Sequence, residues 1–158
     1  MKNAAHLLLI SVFLFLNACT GSNHNDNNQS TENQRCAQCG MPTEEFQVWR
    51  GKIVTTAATK HFCSPRCLFI NSQAHRIAPT DSIFVTDYYE QTLIDGRKAY
   101  YVTGSDVIGP MGHDLIPLAS QQAAEDFMKE HKGQQLLTFD QINAETIRQL
   151  GKHHSQNM

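Results

Sequence analysis

Two passages of the chain spell the same order of elements, strand, strand, helix, strand, and no other feature restricts the fold as much. In the first passage, residues 45–49 alternate apolar and polar side chains, as a half-buried strand does. Gly51-Lys52 reads as a turn, and residues 52–56 read as a second strand rich in β-branched side chains; residues 59–62 continue it less clearly. Ser64 and Pro65 then change the pattern. A serine N-cap followed by proline at the first helical position predicts a helix over residues 65–74, with Cys67, Leu68, Phe69 and Ile70 on its apolar side. Pro79 closes a loop, and residues 82–86 form a short apolar strand.

The second passage repeats this. Residues 98–103 alternate as a strand, and residues 115–118 make another, which Pro117 places at a sheet edge. Ser120 caps a helix carrying Ala123, Ala124, Phe127 and Met128 at helical spacing and ending at Gly133. Residues 135–139 are again a strand, and Asp140 is placed to cap a last helix with Ile142, Ile147 and Leu150. The expected fold is therefore α+β, two similar small ββαβ units. Each is too small to bury a core alone, so the two pack together.

The chain of 158 residues has room for one ordinary domain or two very small ones. Its net charge of −2, with both signs mixed, argues against a nucleic-acid surface. At the front, Lys2 precedes the apolar run 7–16, which is well short of the roughly 20 residues that span a bilayer and fits a secretory leader. Leu16-Asn17-Ala18-Cys19 resembles the bacterial lipoprotein processing site. Cleavage before Cys19 and acylation of its thiol and new amino terminus would anchor the protein stably, since several acyl chains hold where one does not. The residue after Cys19 is no aspartate, which by the same resemblance favours the outer membrane. The alternative is an ordinary signal peptide with Cys19 incidental.

Residues 20–35 contain no large apolar side chain and cannot offset their ordering entropy, so they read as a tether, with His24 a solvated side chain. The expected organisation is a leader over 1–18, a tether over 19–35, a first unit over 36–90, a second unit with a C-terminal helix over 91–150, and a disordered tail over 151–158.

Chemistry concentrates in Cys36-Ala-Gln-Cys39-Gly-Met41-Pro. A thiolate and a thioether two residues apart form a soft donor pair, which selects Cu(I) among biological metals. Cys36-x-x-Cys39 and Cys63-x-x-x-Cys67 together could instead hold zinc through four thiolates. Cys67, across a helical turn from Cys63, is expected to face the core. An oxidising compartment also permits disulfides involving Cys36 or Cys63. A thiol oxidoreductase at Cys36 and Cys39 is the weaker alternative, because that motif opens a helix after a buried strand and this one follows a tether. Far along the chain, residues 104–114 form a long glycine-rich connection, with Met111 and His113 at its tip. Such a loop in a compact domain is usually functional. No nucleophile–base pair emerges, and no enzyme activity is expected.

Five blocks, Cys39-Gly-Met41, Phe62-Cys-Ser64, Phe84-Val-Thr-Asp87, Ala99-Tyr-Tyr-Val-Thr-Gly-Ser105 and Gly109-Pro-Met-Gly112, stand in this order behind the lipoprotein signal. Together they resemble the NosL family, accessory lipoproteins of the nitrous oxide reductase system. The resemblance implies two ββαβ halves, Cu(I) binding, and copper delivery during assembly of the reductase. The implied partners are nitrous oxide reductase and its membrane-bound copper-centre assembly complex, and the implied location is the periplasmic face of a membrane. By motif, Cys39 supplies the thiolate, Met41 a thioether and Met111 a third donor. His113 stands second in rank, and the roles of Cys36 and Cys63 stay open between ligand and disulfide.

Overall fold

The computed structural model describes residues 34–155, with side chains to residue 151. The leader, Cys19, His24 and most of the tether lie outside the described residues, as do residues 156–158.

Strand β1 (Gly51–Val54) is central in the first sheet. It pairs antiparallel with β2 (Thr59–Phe62), Gly51 opposite Phe62, and on its other edge with β3 (Ser82–Thr86), Gly51 opposite Val85. Helix α1 (Pro65–Ala74) connects β2 to β3, and β4 (Leu93–Asp95) extends the sheet to the order β2-β1-β3-β4. The second sheet has the same plan. Strand β5 (Tyr100–Thr103) is central, flanked by β8 (Ile116–Leu118) and by β9 (Gln135–Thr138), with helix α2 (Gln121–Glu130) between those two. A small hairpin, β6 (Ile108–Gly109) and β7 (Gly112–His113), is inserted between β5 and β8. The last helix, α3 (Ala144–Ser155), packs on α1 and β7. It therefore runs on past Leu150, into the segment expected as a tail.

The ββαβ repeat is thus present twice, with matching strand order. Helix α1 covers residues 65–74 as its cap and proline predict, and the edge position of the strand containing Pro117 holds. Residues 45–49 differ from expectation. They form a 3-10 turn, Glu44–Phe46, and a following turn, in which Phe46 N–H donates to Thr43 O at 3.2 Å and Trp49 N–H to Phe46 O at 2.8 Å. The segment satisfies its backbone locally through these turns. Its alternation instead sends Phe46 toward one core and Trp49 toward the other.

Gly51-Lys52 opens β1 rather than a turn. A Cβ on Gly51 would lie 2.9 Å from both Leu68 Cδ1 and Phe84 O, so the glycine permits close approach of α1 to the sheet. The turn falls at residues 55–58, where Thr55 Oγ1 accepts from the N–H groups of Ala57 and Ala58. At the last helix the capping side chain is Asn143, accepting from Glu145 N–H at 2.9 Å and Thr146 N–H at 3.1 Å, while Asp140 sits in a 3-10 turn before it.

Two apolar cores result. One gathers Phe62, Leu68, Phe69, Ile83 and Val85 of the first unit with Tyr101, Leu115 and Leu150 of the rest. The other holds Val102, Ile116, Leu118, Ala124 and Phe127. Strand β5 serves both, because successive residues point to opposite faces: Tyr101 enters the first core and Val102 the second. Two buried aspartates cross between the units. Asp87, just after β3, accepts from Ala119 N–H at 2.7 Å, and Asp114, just before β8, accepts from Arg66 N–H at 2.7 Å.

Candidate metal centre

Residues 34–43 fold back on themselves in a tight knuckle. Arg35 and Pro42 form a bridge, Cys36 N–H donates to Met41 O, and Gly40 N–H donates to Cys36 O, both at 2.8 Å. Gly40 sits at φ +78°, a conformation that glycine adopts without strain, and this reverses the chain directly after Cys39. Ala37 N–H donates to His61 O at 2.8 Å, which fastens the knuckle to the end of β2. That end leads into Cys63, the residue before the helix cap.

Ser64, in extended conformation, accepts from Cys67 N–H through its hydroxyl at 3.4 Å. Cys67 is therefore the third residue of α1, and Cys63 precedes the cap, so one capping motif aims both sulfurs at the knuckle. The outcome is a cluster in which the Sγ atoms of Cys36, Cys39, Cys63 and Cys67 all lie within 4.8 Å of one another. Cys39 Sγ is 3.5 Å from Cys63 Sγ, and Cys63 Sγ is 3.7 Å from Cys67 Sγ. All four are free thiols; Cys36, Cys63 and Cys67 are buried and Cys39 is exposed.

The cluster favours one thiolate over several. Hydrogen bonds from the Cys63 and Cys67 thiols, joined by the backbone N–H groups of Cys63 and Cys39, hold Cys36 well below the usual thiol range, although burial opposes this. Donation to Cys36 is also the first cause pushing Cys63 and Cys67 upward, with burial adding to it. A metal ion bound at this corner would displace the protons that the clustered thiols share.

Of the three ligands expected from motif and the second-rank His113, the structure brings Cys39 into this cluster. Met41 is half-buried against the first core. Met111 is exposed in the turn between β6 and β7, and His113 closes β7. The hairpin is tied to α1: Arg66, beside Cys67, donates from Nη1 to Met111 O at 2.8 Å, and its backbone N–H donates to Asp114 Oδ1. Asp114 is fully buried, and burial pushes its carboxyl up to about 6 against the pull of Ser64, two backbone N–H groups and the Arg66 charge.

Neither Arg66 nor Asp114 was among the residues expected at the site; Asp114 falls at the end of the glycine-rich connection 104–114. Cys67 faces the core as expected, and it also completes the thiol cluster.

A twofold ββαβ scaffold with a sulfur-rich corner at its first helix cap describes a small protein with a candidate soft-metal site. The NosL family model matches residues 27–147, and the chain belongs to that family. It is 29% identical over 121 residues to the copper-binding lipoprotein NosL of Stutzerimonas stutzeri, covering 71% of this chain and 63% of that protein. The chain thus spans less than two thirds of that relative's length. The crystal structure of the copper chaperone NosL from Shewanella denitrificans superposes with a TM-score of 0.63 at 28% identity, covering 72% of this chain and 92% of that one.

Proposed function

We propose that this protein is a lipid-anchored, periplasm-facing carrier of Cu(I) that supplies copper for assembly of nitrous oxide reductase, without catalytic turnover. One observation carries the reading: an exposed thiol, Cys39, backed by three buried thiols within 4.8 Å. Cu(I) is satisfied by two or three soft ligands, which leaves room for an incoming donor during transfer. An exposed ligand is the natural point of exchange. The names of the two relatives support copper as the cargo.

In this reading Cys39 is the thiolate, Met41 and Met111 contribute thioethers, and His113 is a second-rank ligand. The Arg66–Met111 and Arg66–Asp114 contacts support the inclusion of Met111, because they fasten the loop to the helix turn that carries Cys67. Opening of the β6–β7 hairpin would remove one ligand and favour release. The partners are nitrous oxide reductase and the membrane-bound complex that assembles its copper centres, and acylated Cys19 holds the carrier at the membrane, the outer one by its signal.

Competition titration with a cuprous chelator tests the ligand set. Cys39→Ala should lose Cu(I) binding by more than about 100-fold, beyond the usual cost of disturbing a partner around a metal ligand. Met41→Ala and Met111→Ala should each weaken it by less. Unchanged affinity in the Cys39 variant would refute the carrier reading.

A further inference from the structure

We propose that a basic trough beside the first sheet, centred on Arg50, Lys52 and His61, docks an acidic segment of a protein partner. A carboxylate of that segment sits among the cations, and an apolar neighbour packs against Leu93. This deepens the carrier reading by stating what a copper recipient presents to the chain, and it rests on that reading only in taking the partner to be the recipient.

Strand pairing gathers the cations. Gly51 approaches Leu68 of α1, so Lys52, the next residue of β1, faces away from the helix. On that face Lys52 stands opposite His61 of β2 and Phe84 of β3, with its Nζ 5.2 Å from the centre of the Phe84 ring. Arg50 precedes β1, and its carbonyl accepts from Thr86 Oγ1 at 2.7 Å. Arg50, Lys52, His61, Gln34 and Leu93 line a cavity of about 190 Å³. Burial, then the charges of Lys52 and Arg50, lower the His61 pKa, so both cations act on its ring. A second cavity of about 380 Å³, lined also by Val48, shares Arg50 and Leu93 with the first, and the two make one trough beside β4.

Charge and exposure identify the occupant. No aspartate or glutamate lines either cavity, and among the described residues Arg50 and Lys52 have no ion pair, in a chain of net charge −2. Cations held together without a counter-charge favour an incoming carboxylate. Val48 and Leu93 are 45% and 42% exposed, which gives the trough apolar contacts that a free anion would leave in water. The cations are half-buried in a recess, which a flat lipid surface would not enter. Strand β4 is the edge of its sheet, so an extended segment can lie along it. The trough also adjoins the knuckle, because His61 O accepts from Ala37 N–H and the strand end at His61 leads to Cys63. A partner seated there is held beside the thiol cluster.

The test follows amide NMR shifts of the full chain, carried in nanodiscs of zwitterionic lipid, on titration with a short peptide that alternates glutamate and leucine. Shifts should concentrate at Arg50, Lys52, His61 and Leu93. Arg50→Glu and Lys52→Glu should each weaken binding more than about tenfold, and Leu93→Ser by less. Raising the ionic strength from about 0.01 to about 0.15 M, which shortens the Debye length from about 30 to about 8 Å, should also weaken it. Circular dichroism and Cu(I) affinity of the two charge variants should match the parent. In a second arm, Arg50→Glu should slow Cu(I) transfer from the loaded chain to the membrane-bound assembly complex more than about tenfold. Peptide shifts that fall elsewhere, or that survive both charge reversals, overturn the proposal. So does saturation of the same shifts by free glutamate or inorganic phosphate at the peptide's affinity, which would mark a small-anion site, or their appearance in nanodiscs of phosphatidylglycerol, which would mark a lipid surface. Transfer at the parental rate in the Arg50 variant overturns the docking role. Failure of the parent to transfer Cu(I), with the peptide result intact, counts against the carrier reading alone.

Discussion

The two ββαβ units share strand order, helix placement and cap, yet only the first carries cysteine. Ser64 and Ser120 both adopt extended backbone and both accept from the N–H three residues on, Cys67 in α1 and Ala123 in α2. At the residue before each cap and at the third helical position, the first unit has Cys63 and Cys67 where the second has Ala119 and Ala123. The second unit differs in its loop as well. Four residues join β1 to β2, whereas the equivalent connection from β5 to β8 holds the β6–β7 hairpin with Met111 and His113. The difference teaches that a helix cap is a neutral mount. Two cysteines on it become a candidate site only because the knuckle at 36–39 delivers a second pair.

If the units divide their work in this way, damage to one should be separable from damage to the other. Phe127→Ala empties the second core, where the ring is fully buried and stacks edge-on with Tyr88 at 4.8 Å. It should cost about 3–5 kcal/mol in urea unfolding, the usual range for such a truncation, while Cu(I) affinity of the folded fraction stays as in the parent. A parallel loss of affinity would break the proposed division.

Asp114 reaches from the second unit to the first, and its effect should depend on pH. Its folded pKa of about 6 lies above the ordinary carboxylate value of 3.8, so the folded state holds the proton more tightly than the unfolded chain. The contribution of Asp114 to the stability of the metal-free protein should therefore be greatest below about pH 4, fall as pH rises toward 6, and level off above, by up to about 3 kcal/mol. Asp114→Asn keeps an oxygen for the N–H groups of Arg66 and Leu115 and removes the charge. Its unfolding free energy should lack that slope, and a slope of unchanged size would place the titration elsewhere.

The two caps give the smallest and most direct comparison. Ser64→Ala and Ser120→Ala should each cost about 1 kcal/mol of stability. Only Ser64→Ala should also weaken metal binding, because only there does the cap position cysteine ligands. Equal metal affinity in both variants would show that the cluster does not depend on the cap.

Cap chemistry is written in neighbouring residues, and so the starts of α1 and α2 were legible at Ser64-Pro65 and Ser120. The segment 45–49 was not, because its alternation fits a strand while its backbone is satisfied by local turns that period-2 patterning does not reveal. Asp140 was the expected cap of the last helix, but Asn143, three residues on, caps it where α3 packs on α1 and β7. For the site, Cys39-Gly-Met41 marked a soft donor stretch from composition alone. That Cys63 and Cys67 meet it was open, since thiols separated by 24 residues can serve as packing, disulfide or ligand with equal local logic.

By itself, then, the order of residues determined the ββαβ repeat, the helix caps and the presence of soft ligands, because periodicity, capping and donor type are properties of short stretches. Only the tertiary structure decided which sulfurs share a corner and which loop is fastened beside it. Those are distances between segments far apart in the chain, set by the pairing of β1 with β2, the seat of α1 on the sheet, and the reach of Arg66 and Asp114 across the two units.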